Sequence, residues 1–255
     1  MTPTRPAPHE EAAVPHPDTG GAGRPVVVAV DGPSGSGKSS VCRRVAAALG
    51  LAYLDTGAMY RAATWWCLER GVDLADEDAV TAAVRDMPLE VGVDPQAPTF
   101  TVDGTDVAAA IRTTAISSVV SRVAMNLEAR ADLGTRQRAV IGAERGPRGW
   151  SGGRGVVVEG RDITTVIAPD ADVRILLTAS EEARLARRAL EVHGSADTAS
   201  VAATRDQVVR RDAQDSTVVD FLTAADGVVT VDSSDLDLEQ TVDAVLAVVR
   251  EVAAR

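Results

Sequence analysis

Residues Gly32-Pro33-Ser34-Gly35-Ser36-Gly37-Lys38-Ser39 match the pattern G-x-x-x-x-G-K-[ST] at every fixed position. The flanks supply the context that gives this pattern meaning. Val26-Val27-Val28-Ala29-Val30 is a short, mostly β-branched run suited to a strand buried on both faces. After the loop, Val41, Val45 and Leu49 recur at i, i+4 and i+8, and Gly50 stops the helix they define. A glycine-rich turn between buried strand and helix aims successive backbone N–H groups into one anion-sized hollow, and the helix adds its positive end. Such a loop holds the phosphates of a nucleoside triphosphate. Lys38 brings a mobile charge toward the β- and γ-phosphates, and the Ser39 hydroxyl is a ligand for Mg²⁺. Lys38 is also the single lysine among 26 basic residues, the other 25 being Arg. A compact ammonium fits a phosphate hollow where a planar guanidinium does not.

The rest of the chain continues the alternation. Leu51-Ala52-Tyr53-Leu54, Val156-Val157-Val158, Val173-Arg174-Ile175-Leu176-Leu177 and Val228-Val229-Thr230-Val231 read as four more short buried strands. Helices are expected from Gly57 to Arg70, from the N-cap hydroxyl of Ser180 with Glu181 and Glu182 behind it, and over Leu238 to Val252. Strands alternating with helices predict an α/β fold, a five-stranded parallel sheet with helices on both faces. Between about residues 86 and 112 the period changes. Val91, Val93, Phe100, Val102 and Val107 alternate with polar residues around Pro95, Pro98 and Gly104, which predicts a small antiparallel insertion. Residues 1–24, rich in Pro, Gly and Thr without an apolar period, are expected to form a disordered tail.

Composition narrows the partners. A net charge of −11 is the wrong sign for coating nucleic acid or an anionic membrane, and 3% aromatics is too few for a base-stacking platform. No apolar run approaches the roughly 18 residues of a bilayer span, and no basic and then apolar stretch marks a secretory signal. Cys42 and Cys67 are too few for a disulfide framework or a metal site; reduced thiols and a cytoplasmic location are expected. The Asn-Lys-x-Asp motif of a GTP switch is impossible, because the chain has one Asn, Asn126, and no lysine beyond Lys38. Its 255 residues are too few for a large motor or transport ATPase and suit a single domain.

A small-molecule kinase remains, and it needs a second anion site facing the first. Asp55-Thr56-Gly57-Ala58-Met59-Tyr60-Arg61 follows a strand and opens a helix, so a phosphate would sit against the helix start with Arg61 reaching it. Glu159-Gly160-Arg161-Asp162 stands at the carboxyl end of a strand, the edge where open α/β sheets bind ligands.

In this order, Asp31 to Ser39, Leu54 to Arg61, Ile111-Arg112-Thr113, Glu159 to Asp162, and Arg211-Asp212 with Asp215-Ser216-Thr217 closely resemble the bacterial cytidylate (CMP/dCMP) kinases. These are P-loop nucleoside monophosphate kinases, and the likeness covers about residues 26–252. It implies phosphoryl transfer from ATP, with Mg²⁺, to CMP or dCMP in pyrimidine metabolism, by a monomer with no nucleic-acid or membrane partner. It also implies a kinase domain over 25–255, with a monophosphate-binding insert at about 57–145 and a short lid at about 187–220. Residue by residue, the resemblance gives ATP the loop from Gly32 through Ser39 together with Ser40. Thr56, Tyr60, Arg61 and Arg161 fall at the CMP site, with Thr56, Arg61 and Arg161 on its phosphate. Ser121, Arg130 and Asp162 match the residues that read the cytosine edge, and Arg211 and Asp215 the pair on the pentose. Arg187 and Arg188 match basic residues of the lid, and with Lys38 and Arg161 make the catalytic set. Asp31 and Glu159 either orient Mg²⁺-bound water or brace the loop.

Some positions depart from the family. Val218 and Gln214 stand where arginines are common, Thr164 replaces a glycine, and the segment from Asp215 to Asp226 is about two residues short. Two alternatives therefore accompany the CMP kinase: a kinase for UMP or another small monophosphate, and a nucleotide-binding regulator with weak turnover.

Overall fold

The computed structural model describes residues 24–195 and 197–253. The tail expected at 1–24 lies, except for Arg24, outside the described residues, as does the side chain of Arg211. The strands β1 (Val26–Asp31), β2 (Ala52–Asp55), β6 (Gly155–Gly160), β7 (Val173–Thr178) and β8 (Val229–Asp232) form one sheet in the order β2-β6-β1-β7-β8. Every neighbouring pair is parallel. The five apolar runs read from the sequence are these strands; β1, β2, β6 and β7 are buried along most of their length, whereas β8, expected to be buried, is exposed except at Val231.

Alternate residues of β1 enter two cores. Val27 and Ala29 pack with Met59 and Cys67 of α2 (Thr56–Glu69), Val84 of α3 (Glu77–Asp86) and Leu133 of α6 (Leu127–Glu144). Val28 and Val30 pack with Val41 and Val45 of α1 (Lys38–Leu49) and with Val245 and Val249 of α9 (Leu238–Ala253). Cys42 and Cys67 are free thiols buried in these opposite cores.

The expected antiparallel insertion is a second sheet of β3 (Leu89–Gly92), β4 (Thr99–Val102) and β5 (Thr105–Asp106) in that order. Phe100 and Val102 fasten it to the α2 side of the core. Short helices α4 (Thr114–Ser117) and α5 (Val120–Met125) lead from it to α6. Beyond β7, α7 (Glu181–His193) and α8 (Thr198–Asp215) follow, and the Ser180 hydroxyl caps α7 by accepting from Ala183 N–H. Among the described residues, no helix is long and apolar enough to cross a membrane.

The register positions the site. Asp31 pairs with Gly160 across β1 and β6, and Asp55 pairs with Glu159 across β2 and β6. The carboxyl ends of three parallel strands thus bring the phosphate loop, the start of α2 and the 159–162 turn to one edge of the sheet.

Candidate active site

The loop from Gly32 to Gly37 turns on glycines. At Gly32 (φ 152°) a Cβ would collide with the Leu177 carbonyl, and at Gly35 (φ 78°) it would stand 2.6 Å from the Arg184 carbonyl oxygen. No side chain caps α1 at Gly37, which leaves the cap position to the loop and its ligand. Lys38 Nζ folds back over the loop, donating to the Gly32 carbonyl at 2.6 Å and the Pro33 carbonyl at 2.8 Å. Burial, and then repulsion from Arg161, pushes its ammonium below the usual lysine range, while Glu159 and Asp212 oppose that shift. Glu159 is pushed the other way. Burial and the nearby Asp55 raise its carboxyl toward neutrality, against the pull of Lys38 and hydrogen bonds from Tyr53 and Ser39.

A cavity of about 510 Å³ opens over this loop. Ser34, Gly35, Gly37, Lys38, Ser39 and Ser40 line it, together with Arg43, Arg61, Arg112, Arg161 and Arg188 and the carboxylates Asp55 and Glu159. Asp55 accepts from Ala58 N–H at 2.7 Å and so caps α2 itself. The expected seat for a phosphate against that helix start is therefore taken by a side chain. Positive charge comes instead from Arg61, 3.0 Å from Asp55, and from Arg112, 3.8 Å from the same oxygen.

A smaller cavity of about 50 Å³ adjoins the first, and Gly57, Gly160 and Arg161 line both. Thr56, Tyr60, Arg130, Asp162 and Asp215 complete its polar wall. Arg130 pairs with Asp162, donates to the Ala124 carbonyl at 2.9 Å and lies 5.7 Å from the centre of the Tyr60 ring. Burial raises the Tyr60 phenol, which keeps it a proton donor at neutral pH. Thr56 donates to the Glu159 carbonyl at 2.7 Å and locks α2 to β6.

Against this geometry, the model of the family described as cytidylate kinase matches residues 28–251. The chain belongs to the cytidylate kinase family. It is 49% identical over 227 residues to the cytidylate kinase of Streptomyces avermitilis, covering 89% of this chain and 93% of that one. The cytidylate kinase of Streptomyces griseus is 47% identical over 225 residues, covering 88% and 92% of the two chains. That of Streptomyces coelicolor is 48% identical over 227 residues, covering 89% and 93%.

Within this cytidylate kinase fold, Lys38, Ser39, Ser40, Arg61, Arg161 and Arg188 share the larger cavity, and Thr56, Tyr60, Arg130, Asp162 and Asp215 the smaller. Three of the expected residues line neither cavity. Arg187 donates to the carbonyls of Ser36, Ser233 and Leu236 and to the Ser233 hydroxyl, so it fastens the loop to the segment after β8. Ser121 is buried on α5 and lines neither cavity. Asp31 accepts from Ile163 N–H and from the N–H and hydroxyl of Thr164, which is the bracing alternative of its two expected roles. Arg211 lies on α8, its side chain outside the described residues.

Sequence reasoning missed Arg43, which lines the larger cavity, and Arg184, which donates to the Ser34 carbonyl of the loop, and it quoted Arg112 and Asp212 within motifs without giving them a role. Each is a common surface residue type, and only the packing of α7, α8 and the second sheet brings them in. Arg43, for example, donates to the carbonyls of Pro95 and Gln96 and so ties α1 to the β3–β4 loop.

Among the described residues no group of three or more His, Cys, Asp or Glu is gathered to hold a metal ion. The Ser39 hydroxyl and the Glu159 and Asp55 carboxylates beside the loop form a sparse, all-oxygen set. That set fits Mg²⁺, which keeps several waters and takes substrate phosphates as ligands.

Proposed function

We propose that this chain transfers the γ-phosphoryl group of ATP to the phosphate of CMP or dCMP, giving ADP and CDP or dCDP, and does so as a cytoplasmic monomer. The observation that carries the reading is the wall common to the two cavities. Arg161 lines both the space over Lys38 and the pocket holding the Arg130–Asp162 pair. A triphosphate on the loop and a nucleoside monophosphate whose phosphate lies by Arg61 and whose base points into the smaller pocket, which widens to admit it, then meet phosphate to phosphate at one guanidinium.

In this reading the 32–40 loop grips the donor phosphates, with Lys38 as the mobile charge. Arg61 and Arg161, helped by Arg112, hold the acceptor phosphate, and Arg188 closes over the donor. The Asp162 carboxylate accepts from the exocyclic amine of cytosine, while Arg130 donates to its ring nitrogen or carbonyl. Asp215 and Arg211 serve the pentose. The insert at 57–145 brings Arg61 and Arg130, and the lid at 187–220 brings Arg188, Arg211 and Asp215. Mg²⁺, held through Ser39 with Glu159 near it, supplies charge neutralisation on the triphosphate. The acceptor is already a phosphate oxygen, so positioning and charge, rather than a general base, carry the step.

The test is an initial-rate comparison on CMP, dCMP, UMP and AMP with ATP·Mg²⁺. CMP and dCMP are expected to lead by at least about tenfold, the discrimination that a hydrogen-bonded base edge affords. A preference for UMP overturns the assignment of Asp162. Binding of ATP and CMP by calorimetry with no ADP formed establishes the regulator instead.

A further inference from the structure

We propose that Asp212, on α8, is a positioning residue that presets Arg161 and Arg184 over the phosphate loop before nucleotide binds. The proposal rests on the kinase reading of the site.

Asp212 is buried, at 7% exposure, and three elements converge on its carboxylate. Its Oδ1 accepts from the Ser34 N–H of the phosphate loop at 3.1 Å and stands 3.0 Å from Arg161 Nη2, at the end of β6. Its Oδ2 accepts from Arg184 Nη1 of α7 at 2.5 Å, and the same nitrogen donates to the Ser34 carbonyl at 2.9 Å. One carboxylate therefore joins α8 to the loop and to two guanidinium groups. Arg161 is held again by Asp215 at its Nε, 2.8 Å away, and by the Phe221 ring, whose centre is 4.2 Å from the guanidinium carbon.

The network is nearly complete, and its gaps are informative. Arg161 Nη1 and Arg184 Nε are buried and have no hydrogen-bond partner. Buried donors are almost always paired, so two open ones in a web built of charge-assisted bonds mark places for ligand oxygens. Arg161 also lines both cavities, where the transferring group must pass. A guanidinium clamped along two of its edges cannot swing away, and it meets developing phosphoryl charge without reorganising. The Asp212 charge permits two arginines and Lys38 to crowd together. Lys38 is affected by Arg161 and Asp212 in opposite directions. As an anion, Asp212 does not itself attract a phosphate. Its contribution is expected in turnover rather than in substrate affinity.

Asp212→Asn keeps the size and an acceptor for Ser34 N–H but gives up charge pairing with both arginines. Steady-state kinetics with ATP and CMP are expected to show kcat lowered about ten- to hundredfold, with each KM within about threefold of wild type. Asp212→Glu restores the charge one methylene further out and should fall between the two. A folded Asp212→Asn protein with kcat within about twofold of wild type, or with raised KM and unchanged kcat, overturns the proposal. If that variant does not fold by circular dichroism, Arg184→Gln carries the same test: lowered kcat at unchanged KM supports positioning, and unchanged kcat overturns it. Wild type in the same assay reads the function separately. No CDP from wild type means the kinase reading itself has failed, whereas an active wild type beside an unaffected variant rejects only the role of Asp212.

Discussion

Thr164 donates both its backbone N–H, at 2.8 Å, and its hydroxyl, at 2.7 Å, to a single carboxylate oxygen of Asp31. Ile163 N–H takes the other oxygen at 2.9 Å. Asp31 ends β1 just before the phosphate loop, and Thr164 belongs to the π-helical turn Ile163–Ile167 that follows Arg161 and Asp162. The donor and acceptor halves of the site are thus stitched together beneath the substrates. Burial raises the Asp31 carboxyl, and these hydrogen bonds hold that rise back. Thr164→Val removes one donor from a buried carboxylate and is expected to destabilise the protein by about 1–3 kcal/mol. Urea unfolding of the two proteins measures this directly, and an unmoved midpoint rules the stitch out.

Arg187 and Arg188 are adjacent on α7, yet they serve different ends. Arg187 is spent on backbone carbonyls of the loop and of the segment after β8, and Arg188 lines the cavity. Arg187→Ala strands several buried acceptors at once and is expected to cost about 2–4 kcal/mol of stability, with kcat per folded molecule changed only a few-fold. Lys38→Ala is expected to do the reverse, lowering kcat at least about a hundredfold with little change in melting temperature. Thermal melts and kinetics on both variants separate the roles. Equal melting temperatures for wild type and Arg187→Ala refute the bracing role.

The contrast explains how much was legible from the chain. Four of the sheet strands announced themselves because a strand covered on both faces is mostly Val, Ile, Leu and Ala, and β8, exposed except at Val231, did so by its β-branched run alone. The loop announced itself because its turns require glycine and its hollow requires an ammonium. Side-chain direction did not. Successive helical residues point about 100° apart, so which of Arg184, Arg187 and Arg188 meets substrate depends on where α8 and the segment after β8 pack. Asp55 misled for a similar reason: a strand-to-helix junction reads as an open anion seat until the cap residue is seen to fill it. Asp212 stood in a motif block without a legible role, since its partners Ser34, Arg161 and Arg184 lie on other elements far away in sequence.

Selectivity is expected to turn on Asp162. Its carboxylate only accepts hydrogen bonds, which suits the amine of cytosine and opposes the carbonyl that uracil presents at that position. Asp162→Asn preserves the shape beside Arg130 and adds an N–H donor. The ratio of kcat/KM for CMP over UMP is expected to fall at least about tenfold, through a loss on CMP and a gain on UMP. Kinetics on both substrates report it. An unchanged ratio would mean that the base lies elsewhere.

Glu159 sets up a conflict between stability and function that pH exposes. Folding buries its carboxyl beside Asp55 and raises its pKa toward neutrality, above the value in the unfolded chain. Between the ordinary carboxylate range and neutrality, the native state keeps a proton that the unfolded chain has released. Stability from this group therefore falls as pH rises through that window, and the full penalty applies above it. Lys38 offsets part of the penalty, which leaves about 1–3 kcal/mol at stake at pH 8. Glu159→Gln cannot ionise, and its amide oxygen still accepts from the Tyr53 hydroxyl, a partner of Glu159 in the native protein. The substituted protein without nucleotide is expected to be more stable than wild type at pH 8 and much closer to it at about pH 5, while phosphoryl transfer falls because the charge beside Ser39 is gone. Denaturant midpoints at the two pH values decide the matter: an equal gain at both would show that Glu159 does not titrate between them.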